Sequence, residues 1–237
     1  MKRQKLGQHY LIDSQVVRKI VDFAGIGPSE RVLEIGTGRG ALTRELVKLG
    51  ASFIGYEIDE ANCSATSEVV RGSGAEIVRV DAFAQNPEFD VLVTSLPYSE
   101  SAEFVRWLSS REFSRAIAVL QRDFAEKIAA APGERDYRGI SAVAQIAFKV
   151  AVLAKVARGS FDPPPRVDSV VVSFTPRKRI PAEEVANVIR LFSLRRRQVD
   201  SALAELGMNR KRSYGRRRVY SLTPEEVHEI CRPRARQ

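Results

Sequence analysis

The run Ser95-Leu96-Pro97-Tyr98 places a hydroxyl, a proline and an aromatic ring directly after a short apolar segment. The Ser95 side chain and the Leu96 carbonyl can each accept a hydrogen bond from one exocyclic amine. Holding both hydrogens would draw the nitrogen toward a tetrahedral shape and free its lone pair. Pro97 fixes the backbone, and the Tyr98 ring offers a face on which a base can stack. These four candidate catalytic residues predict methyl transfer to a planar amine; an ordinary turn after a strand is the alternative.

A second candidate site begins where the apolar run 31–35 breaks into Gly36, Gly38 and Gly40. Glycines at alternate positions let the backbone turn sharply and approach a ligand closely. A helical pattern follows at once, and its first turn would point free N–H groups at the turn. This strand–turn–helix is the arrangement by which a Rossmann-like sheet holds an adenosine-containing cofactor. A glycine-rich turn without a ligand is the alternative.

Acidic residues end two further predicted strands. Glu57 ends the run 52–57, where a cofactor ribose would lie, and Asp81 follows the run 76–80. A carboxylate suits the two hydroxyls of an unphosphorylated ribose, so NAD and S-adenosylmethionine both fit. Ligands bind beyond the carboxyl ends of parallel strands, and Gly36, Glu57, Asp81 and Ser95 each lie at such an end. The sequence therefore predicts that these four residues meet at one edge of the sheet.

The elements that must position these residues follow an alternating pattern. The first five predicted strands alternate with helices, which implies a parallel sheet with right-handed crossovers. The last two have no helical pattern between them, so we expect an antiparallel pair at one edge. Ser14 is the expected N-cap of the first helix. Strands are predicted at 31–35, 52–57, 76–80, 90–94, 116–120, 149–156 and 169–175. The fold class is α/β, with a Rossmann-like seven-stranded S-adenosylmethionine-dependent methyltransferase domain followed by a small all-helical domain.

The net charge of +9 is concentrated at one end of the chain. Residues 1–176 carry 22 basic and 22 acidic side chains, whereas residues 177–237 carry 16 basic and 7 acidic. We therefore divide the chain into a catalytic domain, 1–176, and a basic helical RNA-binding domain, 177–237. Arginine suits phosphate because its planar fork presents several donors, although a solvated surface is the alternative. The candidate RNA-binding residues are Arg195, Arg196, Arg197, Arg216, Arg217 and Arg218, and a third cluster is 210–212.

Composition excludes several classes of protein. No window approaches the about 18 apolar residues of a membrane span, and the basic start lacks the apolar region of a signal peptide. Cys63 and Cys231 lie far apart, and the chain has two histidines, so neither a disulfide framework nor a metal site is indicated. We expect a cytoplasmic monomer without a metal ion or membrane partner.

The chain resembles the ribosomal small-subunit RNA adenine N6,N6-dimethyltransferases, the KsgA type. The resemblance covers nearly the whole chain and rests on segments that follow one another in the family's order. These are the leader 7–13, the glycine motif 32–42, Asp81-Ala82 with Leu96-Pro97-Tyr98, the block 137–145, the proline-rich segment 161–172 and Arg195-Arg196-Arg197.

The resemblance implies an enzyme that methylates N6 of two adjacent adenines near the 3′ end of small-subunit rRNA with S-adenosylmethionine. It implies that the leader closes over the cofactor, that Glu57 binds the ribose hydroxyls and that Asp81 binds the adenine amine. Leu96, Pro97 and Tyr98 would hold the target base. The candidate cofactor-binding residues are His9, Leu11, Gly36, Gly38, Gly40, Glu57, Asp81 and Ser95.

One departure from the family keeps alternatives open, because the family usually has Asn where this chain has Ser95. A serine hydroxyl still accepts a hydrogen bond, but the side chain is shorter than that of asparagine. Monomethylation and dimethylation of the target amine therefore both stay open. A ribosome-assembly factor with weak or no methyltransferase activity is a second interpretation. A large-subunit rRNA adenine methyltransferase is a third, against which the proline-rich segment argues. An NAD oxidoreductase is a fourth interpretation, but residues 95–98 would have no role in such an enzyme.

Overall fold

The computed structural model describes residues 8–208 and 212–233. Two residues of the predicted basic cluster, Arg210 and Lys211, lie outside the described residues. The chain forms two compact units. Of the described residues, the first takes in 8–101, 112–122 and 151–175, and the second takes in 102–111, 123–150, 176–208 and 212–233. The division into domains at residue 176 stays a prediction.

The strands in chain order are β1 (Tyr10–Leu11), β2 (Arg31–Ile35), β3 (Ser52–Glu57), β4 (Glu76–Arg79), β5 (Val91–Thr94), β6 (Arg115–Gln121), β7 (Phe148–Val156), β8 (Phe161–Asp162) and β9 (Ser169–Pro176). The helices are α1 (Ser14–Ala24), α2 (Ala41–Leu46), α3 (Glu60–Val69), α4 (Ser101–Leu108), α5 (Arg122–Ala129), α6 (Gly139–Ala147), α7 (Ala182–Ser193), α8 (Val199–Leu206) and α9 (Pro224–Cys231).

Seven strands form one sheet in the order β4-β3-β2-β5-β6-β9-β7. The first five of that order are parallel, and β9 pairs antiparallel with β6. The predicted sheet of seven strands is confirmed, with β9 and β7 neighbours at one edge. The strand order reverses between β2 and β5, which is the switch point where such sheets bind ligands. Ile35 lies opposite both Tyr56 and Thr94, so β2, β3 and β5 end together.

The core of the first unit explains why these segments form strands and helices. Val32 of β2, Val91 and Val93 of β5 and Ile117 of β6 are buried, and the apolar side of α1 packs in the same cluster. α1 follows the 3.6-residue period predicted for it and ends at Gly25, whose φ of 54° is the left-handed conformation favoured at helix ends. The predicted Ser14 cap is wrong, because the Asp13 carboxylate accepts from the N–H groups of Gln15 and Val16.

The second unit contains helices that pack through small and aromatic residues. A Cβ atom at Gly139, at the start of α6, would lie 3.0 Å from the Ile189 side chain of α7, so glycine permits close helix approach. Tyr137 packs edge-on against Phe192 of α7, with ring centroids 5.4 Å apart. Helix α9 begins with the predicted capping box, in which the Thr223 hydroxyl and the Glu226 carboxylate each accept an N–H group of the other residue. Among the described residues, none of the helices is long and apolar enough to cross a membrane.

Two short strands lie outside the main sheet and were not predicted. β1 and β8 pair antiparallel, with Tyr10 opposite Asp162 and Leu11 opposite Phe161. Residues 10 and 11 of the leader therefore form a short strand, which pairs with the beginning of the proline-rich segment.

Candidate active site

The three glycines after β2 all adopt positive φ, with values of 74°, 52° and 77° for Gly36, Gly38 and Gly40. A Cβ atom at Gly36 would lie 3.0 Å from the Leu96 side chain. The glycine turn and the candidate catalytic run therefore touch, as the predicted meeting of strand ends requires. At Gly40 a Cβ atom would meet Thr66 and Val69 of α3, which gives this glycine a packing reason apart from any ligand.

Glu57 lies at the end of β3, and its side chain connects this strand to the glycine turn that follows β2. Its side chain accepts hydrogen bonds from the backbone N–H groups of Gly38 (2.9 Å), Ile58 (2.8 Å) and Asp59 (2.9 Å). The residue is only 5% exposed. Three donors fix the carboxylate in place, and its two oxygens retain lone pairs for further donors such as ribose hydroxyls.

A second carboxyl group, Glu34, lies beneath the turn. It is 1% exposed and accepts a hydrogen bond of 2.6 Å from the Thr43 hydroxyl of α2. Burial raises the pKa of Glu34 to about 8, the Thr43 hydrogen bond opposes the rise, and the nearby Glu57 adds to it. Glu34 is therefore mostly a neutral acid at pH 7, and it links β2 to α2.

The Thr37 hydroxyl is buried in the glycine turn and has no hydrogen-bond partner among the described residues. Buried polar atoms are nearly always paired, so an unpaired one at a candidate ligand site is informative. Together with the Glu57 carboxylate it offers polar atoms to a ligand that carries hydroxyl and amine groups. These groups match the adenosine portion of S-adenosylmethionine.

Asp81 and Ser95 lie at the carboxyl ends of β4 and β5, as predicted. One oxygen of the exposed Asp81 carboxylate accepts from the Phe83 N–H at 3.0 Å, which holds the side chain at the end of its strand. Ser95 is half-buried and follows Thr94, whose hydroxyl donates to the Ile35 carbonyl at 2.7 Å. That hydrogen bond ties the ends of β5 and β2 together.

The leader strand β1 brings residues to the same edge. A Cβ atom at Gly38 would lie 3.2 Å from the Tyr10 ring, and the Arg39 guanidinium lies 4.2 Å from the centroid of that ring. Arg39 also forms an ion pair of 3.0 Å with Asp162 of β8. Leu11 is buried in the core. Tyr10, Arg39 and Asp162 were not singled out in the sequence, because no local periodicity marks a contact across more than 120 residues.

Tyr98 has neighbours from two other segments. Its hydroxyl is hydrogen-bonded to the Ser169 hydroxyl at the start of β9, with the oxygens 2.5 Å apart. Its ring centroid lies 5.7 Å from that of His9, whose Nδ1 lies 2.7 Å from the Pro163 carbonyl oxygen. Burial raises the pKa of Tyr98, and the Ser169 hydrogen bond opposes the rise, so the phenol is neutral at pH 7.

The six candidate RNA-binding arginines fall into two groups within the second unit. Arg195, Arg196 and Arg218 line a cavity of about 480 Å³ together with Arg135 and Tyr220. Within 8–208 and 212–233, none of the four arginines that line this cavity forms an ion pair through its guanidinium group.

The other group consists of arginines that are paired or simply exposed. Arg197 pairs with Glu205 at 3.3 Å, Arg217 pairs with Glu226 at 2.7 Å, and Arg216 is exposed. The structure thus brings together three of the six predicted arginines and adds Arg135 and Tyr220, which the sequence analysis did not select.

Comparisons with known proteins identify the family of this chain. A family model described as ribosomal RNA adenine dimethylase matches residues 1–230. The chain is 34% identical over 248 residues to the "Probable ribosomal RNA small subunit methyltransferase A" of Pyrococcus furiosus, and the match covers 96% of this chain and 90% of that protein.

Two solved structures have the same fold over almost the whole chain. A dimethyladenosine transferase from Plasmodium falciparum aligns with a TM-score of 0.77 and 25% identity, covering 94% of this chain and 96% of that one. The 23S rRNA methyltransferase ErmE aligns with a TM-score of 0.65 and 25% identity, covering 93% and 97%. The chain belongs to the ribosomal RNA adenine dimethylase family, as its motifs predicted, and is an rRNA methyltransferase that uses S-adenosylmethionine.

Proposed function

We propose that this protein methylates N6 of two adjacent adenines near the 3′ end of small-subunit rRNA during maturation of the small subunit. The observation that carries the proposal is the contact between the two candidate sites. Leu96, in the run that would hold the target amine, lies against Gly36 of the turn that would hold the cofactor. A methyl donor on the turn and an acceptor at the run would therefore be neighbours. The relative from Pyrococcus furiosus supports the choice of small-subunit rRNA.

The proposed cofactor contacts follow from the polar groups at the strand ends. Glu57 would accept hydrogen bonds from the ribose hydroxyls, and Asp81 would accept one from the adenine amine. The Thr37 hydroxyl of the glycine turn is buried without a hydrogen-bond partner among the described residues. His9, Leu11, Gly36, Gly38, Gly40 and Ser95 complete the proposed cofactor-binding residues. S-adenosylmethionine supplies the electrophilic methyl group.

The catalytic work of the protein's own residues is to hold and orient a weak nucleophile. The Ser95 hydroxyl and the Leu96 carbonyl would accept the two amine hydrogens of the adenine, which concentrates the lone pair on nitrogen. Pro97 restrains the backbone of the run, and Tyr98 would stack on the base. Positioning of this kind can supply a large share of a rate enhancement. The second transfer acts on a monomethylated amine, which has one hydrogen left for one of the two acceptors.

The proposed RNA surface is the cavity of Arg135, Arg195, Arg196 and Arg218 with Tyr220. These four guanidinium groups, which form no ion pair among the described residues, outnumber the one acidic residue that lines the cavity, Glu134, so the cavity carries a net positive charge. The pKa of Arg195 is lowered mainly by burial and further by the nearby Arg138 and Arg196, whose positive charges repel that of Arg195. An RNA phosphate would relieve that repulsion through charge-assisted hydrogen bonds. We also propose that the protein acts as a monomer in the cytoplasm, where small subunits mature.

The test is methyl transfer from labelled S-adenosylmethionine to unmodified small ribosomal subunits, with nucleoside analysis of the digested rRNA. We expect dimethyladenosine from the wild-type protein, and little product from Ser95→Ala, since one of two acceptors is lost. Large subunits from the same cells serve as the matched control substrate. Labelling of the large subunit instead would contradict the proposed substrate. Tight binding to small subunits without any product would favour an assembly factor.

A further inference from the structure

Ser169 is a buried hydroxyl group that the proposed reaction does not yet use. It is 1% exposed and begins β9, where it lies opposite Gln121 of β6. Its hydroxyl bonds to the Tyr98 hydroxyl, 71 residues earlier in the chain. The regular pairing of β9 with β6 fixes the backbone of Ser169, so the hydroxyl is held by the main sheet.

The hydrogen bond restrains the outer end of the Tyr98 ring. A tyrosine on a short 3-10 turn, Tyr98–Glu100, can turn about two side-chain bonds. Ser169 removes much of that freedom, because the phenol oxygen is attached to a fixed strand. The His9 ring limits the space on one side of the Tyr98 ring. The two ring centroids are 5.7 Å apart, and the two ring planes are inclined at 30° to each other. The ring is thereby held in one orientation before any base arrives.

We propose that Ser169 is a positioning residue that holds the Tyr98 ring in the orientation needed to stack on the target adenine. The inference rests on the proposed function, because it assumes that Tyr98 is the stacking surface. Ser169 does not touch the substrate in this account. It acts through Tyr98. Because the ring is already ordered before RNA binds, the conformational entropy lost in ordering it does not weaken RNA binding.

The first test uses Ser169→Ala and Tyr98→Phe, each of which removes one partner of the hydrogen bond and leaves the aromatic face in place. Both variants should lower kcat for methyl transfer by about two- to tenfold, the range for loss of one hydrogen bond. The affinity for S-adenosylmethionine, measured by calorimetry, should stay at the wild-type value, since neither variant changes the glycine turn or Glu57.

The double variant Ser169→Ala/Tyr98→Phe separates positioning from stability. Tyr98→Phe leaves the buried Ser169 hydroxyl without its partner, which should lower the thermal midpoint. Removing both hydroxyls should restore part of that midpoint, because no polar group is then left unpaired. Positioning predicts that kcat nevertheless stays as low as in the single variants. Recovery of kcat together with the midpoint would overturn the proposal, since it would make the hydrogen bond purely structural.

Ser173→Ala is the matched control, because it makes the same change on the same face of β9 without a contact to Tyr98. It should retain wild-type kcat. Wild-type kcat in Ser169→Ala would overturn the positioning role and leave the proposed function intact. Lack of transfer by the wild-type protein would instead overturn the proposed function, on which the positioning role depends.

Discussion

At the scale of single residues, Glu34 is a carboxyl group kept neutral by its surroundings. Its pKa of about 8 lies above its ordinary value of 4.5 because the group is buried. Between these two values the folded protein holds a proton that the unfolded chain releases. The free energy of unfolding must therefore fall as the pH rises through this window, by up to about 1.4 kcal/mol per pH unit.

Replacement of Glu34 by Gln should remove this pH dependence, because the amide is neutral at every pH. We expect Glu34→Gln to be as stable as the wild type near pH 5 and more stable near pH 9, as measured by urea unfolding at each pH. The variant keeps an oxygen that can accept the Thr43 hydroxyl. Parallel curves for the two proteins from pH 5 to 9 would contradict the neutral state of Glu34.

Glu57 is a second carboxyl group of the candidate site, and it accepts hydrogen bonds from three backbone N–H groups. Glu57→Gln replaces one acceptor oxygen by an NH2 group that faces donors. We expect the affinity for S-adenosylmethionine to fall by about tenfold or more, as measured by calorimetry. Glu60→Gln is the control, because the Glu60 side chain is 74% exposed and forms a surface ion pair with Arg79. Equal affinities of Glu57→Gln and Glu60→Gln would exclude the ribose role.

At the scale of elements, local patterns predicted the main sheet but not the leader strand. The apolar runs of β2 and β5 and the glycines after β2 are visible in a window of ten residues. β1 has two residues, too few for any periodicity, and its partner β8 lies about 150 positions later. The Tyr98–Ser169 hydrogen bond was missed for the same reason, because it depends on how β9 inserts beside β6. Asp13 rather than Ser14 caps α1, since both are good caps and only geometry selects between them.

The contact of β1 with the glycine turn yields a prediction about Gly38. Gly38→Ala would place a methyl group 3.2 Å from the Tyr10 ring of β1 on a residue with φ of 52°, so that ring must move by a few tenths of an ångström. We expect weaker binding of S-adenosylmethionine in addition to a loss of stability of about 1–2 kcal/mol. Gly50→Ala is the matched control, because its φ of 70° causes similar strain but nothing lies within 4 Å. Similar cofactor affinities in both variants would show that β1 does not support the cofactor site.

At the scale of the whole molecule, the distribution of charge predicted an RNA-binding region but not which arginines serve it. The excess of nine positive charges lies in residues 177–237. The structure then separates the arginines that form ion pairs from those that form none among the described residues, a distinction that composition cannot make. Arg217 supports the capping box of α9 through Glu226, whose pKa is lowered mainly by the hydrogen bond from Arg217. Arg195 and Arg196 line the cavity and form no ion pair among the described residues.

Two charge-matched double variants test this division. Arg195→Gln/Arg196→Gln should weaken binding to small subunits and reduce the slope of log affinity against log salt by about 1.5–2, one unit or slightly less per lost phosphate contact. Arg197→Gln/Arg217→Gln removes the same charge but mainly breaks the pairs with Glu205 and Glu226. It should lower the thermal midpoint and leave the salt slope nearly unchanged. If both variants reduced the slope equally, net charge alone would attract the RNA, and the cavity would have no special role.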